Sequence, residues 1–210
     1  MTRMNNKRPF YNCRRLTMWQ MTDEEAETYS ETAISFERRL TTYSDSVETN
    51  STPLYGDGEL IETAVSEGEG SLSLGIHHMT LDERIKVYNE TDKNGTVIST
   101  GEEIPPYMCV ALIAAKRGKI VELRKWLKVA FQKHEETVEQ KESGGIKYSM
   151  PTLNGTYSEN TTLGIKVARA EVDSTTAEGK AFIEKWFTKA DFVAEDEDED
   201  KDEDEDDGES

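Results

Sequence analysis

The segment from Pro106 to Phe131, PYMCVALIAAKRGKIVELRKWLKVAF, constrains this chain more than any other. Tyr107 to Ala115 is a near-continuous apolar run of strand length. Lys116-Arg117-Gly118-Lys119 supplies a turn, with Gly118 free to take positive φ. The return segment alternates: Val121, Leu123, Leu127, Val129 and Phe131, with Lys125 among them, point one way, and Glu122, Arg124, Trp126, Lys128 and Gln132 the other. That is the period of a half-buried strand, so the spacing predicts a hairpin with one packed face and one face toward water or a partner.

Charge bounds the partners. The chain has 210 residues and a formal charge of -18, but residues 195–210 hold 13 acids and one lysine, which leaves the body at -6. A chain of this length is expected to form one domain with appendages. No apolar run is long enough to span a membrane and the first fifteen residues are basic and polar, so a soluble, intracellularly made protein without a membrane partner is expected. Cys13 and Cys109 lie in unlike contexts and are read as free thiols, with no disulfide framework or zinc site.

The first thirty residues carry few structural signals. Arg3, Lys7, Arg8, Arg14 and Arg15 form a basic cluster with Phe10, Tyr11 and Trp19 interleaved. It reads either as an arm docking on an acidic partner, nucleic acid or another subunit, or as a solvated segment. The contact with another subunit is favoured, because like chains are acidic elsewhere, and Arg8, Phe10, Arg14 and Arg15 are its candidate contacts. Ile34, Phe36, Arg38 and Leu40 alternate as a strand. Thr41 to Gly58 is rich in Ser, Thr, Asp, Gly and Pro and is expected to be a long loop that either binds or is disordered. Leu60 to Val65 resumes extended structure, and a Ser-Glu-Gly-Glu-Gly turn before Leu72, Leu74 and Ile76 suggests a second hairpin.

Thr80 and Glu83 fit a capping box opening a short helix with Leu81, Ile85 and Tyr88 on one face. Later, Ile146, Tyr148 and Met150 alternate, Leu163, Ile165 and Val167 suggest a strand, and Thr175 with Glu178 suggests a second capping box. The helix that follows places Phe182, Ile183, Trp186 and Phe187 on one stripe, a core pattern. The expected division is 1–29 as N-terminal arm and first strand, 30–194 as the domain, and 195–210 as an acidic tail too polar to fold.

Catalytic motifs are absent. There is no phosphate-cradling loop, nucleophile elbow or zinc spacing, so neither enzyme activity nor a cofactor is expected. His77 and His78 are adjacent, and on a strand they would point to opposite faces. Gly56 to Glu59 reads as a turn rather than half a calcium loop. The Asn-x-Ser/Thr triplets at Asn50, Asn89, Asn94, Asn154 and Asn160 are what a Thr-rich sequence yields by chance.

The order of segments resembles the major tail proteins, or tail tube proteins, of long non-contractile-tailed phages of Gram-positive and related bacteria. The resemblance runs through PLYGDGELIETA, GSLSLGIHHMTLDERIKVY, IPPYMCVALIA, Arg124 to Val129, IKYSMPTLNGTY and the aromatic helix at Phe182 to Phe187, covering about residues 30–190. It implies a mainly β fold with α: a β-sandwich of the tail-tube kind flanked by a helix, six copies forming a ring and rings stacking into the tube that conducts the genome into the host cell. Its implied partners are further copies of itself, the tape measure, tail terminator and distal tail proteins, and genomic DNA passing through the lumen. Its implied location is the virion, after assembly in the bacterial cytoplasm. A stacking loop in the family falls at Thr42, Tyr43, Val47, Pro53, Leu54, Tyr55 and Asp57, the candidate inter-ring contacts. Glu59 and Glu62 are candidates to face the lumen, where a negative wall would not retain phosphate. The tail is expected outside the tube as a disordered brush with no part in forming rings. The rival reading is an acidic-tailed, histone-chaperone-like β-sandwich binding module, which would close into small rings and never elongate. A carboxylate-based hydrolase is a remote third.

Overall fold

The computed structural model describes residues 7–57, 59–135 and 150–192. In chain order the elements are β1 (Phe10–Asp23), β2 (Thr28–Tyr29), β3 (Ile34–Phe36), β4 (Leu40–Gly56), β5 (Glu59–Ile76), α1 (Leu81–Tyr88), β6 (Thr91–Lys93), β7 (Thr96–Ile98), β8 (Tyr107–Lys116), β9 (Ile120–Phe131), β10 (Thr152–Ser158), β11 (Val167–Asp173) and α2 (Ala177–Trp186). Nine strands make one antiparallel sheet in the order β2-β1-β8-β9-β10-β5-β4, with β3 added to β1 and β11 to β9. The sheet folds back on itself. Tyr43 of β4 meets Trp126 of β9 edge to face at 6.3 Å, and the Cys13 thiol of β1 reaches the Thr41 carbonyl at 3.5 Å.

This folding creates two cores. Inside it, Leu16, Met18, Phe36, Leu72, Leu74, Val110, Leu112, Trp126, Phe131 and Tyr157 pack together, with Val87 and Tyr88 of α1 among them. Outside it, Trp19, Cys109, Ile113, Leu123, Leu127 and Val172 are covered by Ile183 and Trp186 of α2 and by Phe187 at its C-cap. The mainly β, sandwich-like fold with a flanking helix is therefore present.

The central hairpin forms as the spacing predicts, but β9 is buried on both faces rather than one. Met108 pairs with Val129 and Val110 with Trp126, so β9 carries one extra residue there. A bulge of one residue inverts the side-chain alternation beyond it. Val121, Leu123 and Leu127 thus face the outer core, whereas Trp126, Val129 and Phe131 face the inner one. Lys125 is fully buried beneath α2, donates to the carbonyls of Lys189 at 2.8 Å and Phe192 at 2.7 Å, and lies between the Trp19 and Trp186 rings.

Several expectations are corrected. Of the segment read as arm and first strand, residues 10–23 are the strand, paired with β8, so the basic and aromatic residues from Phe10 on belong to it and not to an arm; Leu16, Met18 and Trp19 are inaccessible to solvent. A bulge between Arg14 and Thr17, with Arg15 at φ 55, breaks the alternation that would have exposed it in the sequence. The stretch read as a long loop is β4, and the two segments read as separate strands around a Gly-rich turn are one continuous β5. Backbone pairing from Leu40↔Ile76 to Gly56↔Glu59 supplies hydrogen bonds that composition did not anticipate. The α1 capping box is present, but Leu81 is exposed and burial falls on Val87 and Tyr88. The cap of α2 is Thr176, one residue later than expected, its hydroxyl accepting from the Gly179 N–H at 3.0 Å. β11 begins only at Val167, with Leu163 exposed. The readings at Arg3, Ile146, Tyr148 and 195–210 lie outside the described residues.

Candidate functional site: a projecting hairpin and its mount

The β4–β5 hairpin divides into a base and an arm. In the base, Leu40, Tyr43 and Val47 alternate inward onto the inner core. From Glu48 to Asp57 and from Ile61 to Glu67, every described side chain is exposed. Eight pairs, from Thr49↔Glu67 to Gly56↔Glu59, at about 3.3 Å per residue make an arm roughly 26 Å long. Leu54, Tyr55, Ile61 and Val65 are 57%, 64%, 66% and 64% exposed on it. From Leu40 to Ile76 there are seven carboxylates and no lysine, arginine or histidine. The arm is therefore an acidic, two-stranded ribbon studded with large unburied apolar groups. An isolated ribbon of this kind is marginal in water, so its order depends on what holds its base.

The base is held by charge. Asp45 accepts from the Tyr157 hydroxyl at 2.7 Å, from Arg169 at 3.1 Å and from Arg124 at 3.3 Å. Arg124 also donates to Glu122 at 2.8 Å, and Lys116 bridges Glu122 and Glu171. One carboxylate of β4 is thereby tied to β9, β10 and β11 together. Burial, reinforced by the Asp45 hydrogen bond, pushes the Tyr157 hydroxyl above its ordinary range, so it remains a donor. Gly70 lies flat against the Tyr157 ring, where a Cβ would stand 2.0 Å from the nearest ring carbon. Beyond it, Lys166 donates to the Gly68 carbonyl at 3.2 Å.

The candidate contact residues fall on both parts. Thr42 is exposed at the base, while Tyr43 and Val47 are turned into the core and packed there, so the sequence reading merged two populations. Pro53, Leu54, Tyr55 and Asp57 lie along the distal arm, with Asp57 at the tip at φ 52. Glu59 and Glu62 are exposed on the returning strand. Of the basic candidates, Arg8 donates to the Arg117 carbonyl at 3.1 Å and Arg14 is exposed. Arg15 forms a two-pronged pair with Glu184 of α2 at 2.8 and 2.9 Å and lies over Phe187. Phe10 lies beneath Lys116 and Arg124. Sequence reasoning missed the mount itself; the usable signal was Tyr43-x-Asp45-x-Val47, which places a carboxylate on the inward face of an alternating segment.

His77 and His78 follow the end of β5 and, contrary to the opposed-face reading, both line one cleft with His134, Arg84, Glu90 and Ser99. Among the described residues no three His, Cys, Asp or Glu side chains converge as metal ligands do.

No family model matches the chain, and no curated protein does. Among solved structures it is similar to a chain of the six-fold symmetrised baseplate of the anti-feeding prophage, at 12% identity and TM-score 0.38, over 82% of this chain and 100% of that one.

Proposed function

We propose that this chain is a structural subunit of a phage tail that polymerises as stacked hexameric rings into the tail tube, the conduit for genome delivery, and that it carries no catalytic site. The observation that supports this most directly is the arm: an ordered ribbon on a rigid mount that leaves four large apolar side chains in solvent. The apolar side chains of such a ribbon gain burial only by meeting another surface. In this reading the arm makes the ring-to-ring contacts, through Pro53, Leu54, Tyr55 and Asp57, and Glu59 and Glu62 face the lumen. The resemblance of segment order to tail tube proteins supplies the kind of assembly, with the tape measure, terminator and distal tail proteins as further partners in the virion.

The test is negative-stain imaging of the purified chain beside a variant in which Thr49–Ser66 is replaced by a two-residue turn. The mount stays intact in that variant. Tubes from the intact chain, and only single rings or monomers from the variant, are expected; tubes of normal length from the variant would exclude the arm as the stacking element. Closed rings that never elongate, from the intact chain at any concentration, would favour the chaperone-like reading instead.

A further inference from the structure

The arm leaves the body at a break in its own ladder. Val47 pairs with Gly70 and Thr49 with Glu67, so Gly68 and Glu69 of β5 oppose Glu48 of β4 alone. That is a bulge, which leaves its extra residue unpaired, bends the strand and increases its twist. β5 also parts from β10 here, since Tyr157↔Gly70 is the last pair between them. Burial ends at the same place: Gly70 is buried, whereas Ile61 to Glu67 are all exposed. Ladder, neighbouring strand and core thus give out within three residues, and the direction of the arm is decided there.

Two side chains of the body act at this break. The Tyr157 ring lies against Gly70, with its hydroxyl on Asp45 at 2.7 Å. Beyond Gly70, Lys166 donates to the Gly68 carbonyl at 3.2 Å and lies 3.5 Å from the Glu67 carbonyl. The topology explains its position. β10 and β11 occupy successive lengths of one edge of β9, Lys128–Phe131 and Ile120–Trp126, and Lys166 precedes β11 with its carbonyl accepting from the Leu127 N–H at 3.4 Å. Where β10 no longer offers backbone partners to β5, the residue leading into β11 reaches across with an ammonium group.

We propose that the bulge at Gly68–Glu69 is the pivot of the arm, and that Lys166 is a positioning residue that sets the arm's angle to the body by holding the carbonyls there. Without Lys166 the arm keeps its internal pairing and swings as a unit, because its described side chains are exposed and no core beyond Gly70 opposes the motion. A swing of about 20°, the ordinary twist between neighbouring strands, displaces the tip of a ribbon roughly 26 Å long by about 9 Å. That angle decides where Leu54, Tyr55, Ile61 and Val65 meet any partner surface. The device belongs to the single chain and does not depend on the tube reading.

Double electron–electron resonance on the full chain, spin-diluted with unlabelled protein, tests it. Labels at the exposed positions Glu59→Cys and Lys180→Cys report the arm against the body, and labels at Lys86→Cys and Lys180→Cys report the body alone. The background is Cys13→Ser, with the buried Cys109 left in place. Lys166→Met should shift or broaden the arm distance by several ångströms, Lys166→Arg should restore it, and the body distance should stay as it was. Hydrogen exchange of the Thr49–Ser66 ladder should be the same in all three chains. An arm distance unmoved by Lys166→Met, or one already as broad with Lys166 present, would overturn the proposal. So would a body distance that broadens in step, or faster exchange throughout the ladder, which would mean that the arm melts instead of pivoting.

Discussion

Two hairpins of this molecule have the same local geometry and opposite sources of order. β8–β9 is buried on both faces: β8 alternates between Met108, Val110 and Leu112 in the inner core and Cys109, Ala111 and Ile113 in the outer one. β4–β5 is longer, yet beyond Val47 and Gly70 it has no core on either face. The first is fixed by removal of apolar surface from water. The second is fixed at its base by Asp45, Arg124, Arg169 and Tyr157 and carried outward by backbone pairing alone. Strand content is thus a poor guide to where stability resides; burial and the mount decide it.

The comparison breaks most severely in the buried hairpin. Trp126→Ala removes a fully buried ring packed on Tyr43 and is expected to cost about 3–5 kcal/mol in urea unfolding, with the whole domain losing cooperativity of the transition. A loss near zero would mean that the inner core is not continuous across β9. Next comes the mount. Asp45→Ala leaves the Tyr157 hydroxyl buried without its acceptor, Arg124 with Glu122 alone and Arg169 to solvent, and about 1–3 kcal/mol is expected, with faster hydrogen exchange in both β4 and β5. Exchange that speeds up only at the arm tip would show that the base is held by apolar packing instead.

Lys125 sharpens the comparison through pH. Burial lowers its ammonium from an ordinary 10.5 to about 8, so in the folded chain the proton is held less tightly than in the unfolded one. The penalty is complete below about pH 8 and disappears as pH rises toward 10.5. Relative to Lys125→Met, the wild-type melting temperature should therefore rise across that window, and parallel curves would contradict the assignment. Glu27 runs the other way. Burial on its own raises its carboxyl, but hydrogen bonds from Lys128 at 2.6 Å and the Thr162 N–H at 2.9 Å outweigh that and bring it down to about 2. Its contribution is present above about pH 4.5 and is lost as pH falls toward 2, so Glu27→Gln should flatten that part of the acid-unfolding curve.

The smallest stability effect is expected on the arm. Changing Leu54, Tyr55, Ile61 and Val65 together to Ser should leave unfolding within about 0.5 kcal/mol per site, because none is buried in the isolated chain. The same variant should fail to elongate when imaged. Normal tubes together with unchanged stability would leave these apolar groups without a role in assembly.

Local pattern was enough for some of this. The apolar run at Tyr107–Ala115, the turn at Gly118, the Thr80–Glu83 capping box and the aromatic stripe of α2 were all legible, since each depends on neighbours within a few residues. Residues 10–23 and 41–57 were not. The bulge at Arg15 hides the period of β1, and the Ser, Thr and Asp of β4 read as loop because their hydrogen-bond partners lie on a strand whose pairing sequence alone does not reveal. The bulge in β9 is the same case: an extra residue between Trp126 and Val129 exists only relative to β8. Composition and periodicity thus determined where charge accumulates and, for the central hairpin and the two helices, which segments extend and which coil. Tertiary structure decided which face each strand buries, because register and bulges are properties of paired strands. It also decided that Asp45, Arg124, Arg169 and Tyr157, separated by as many as 124 residues, meet as one mount.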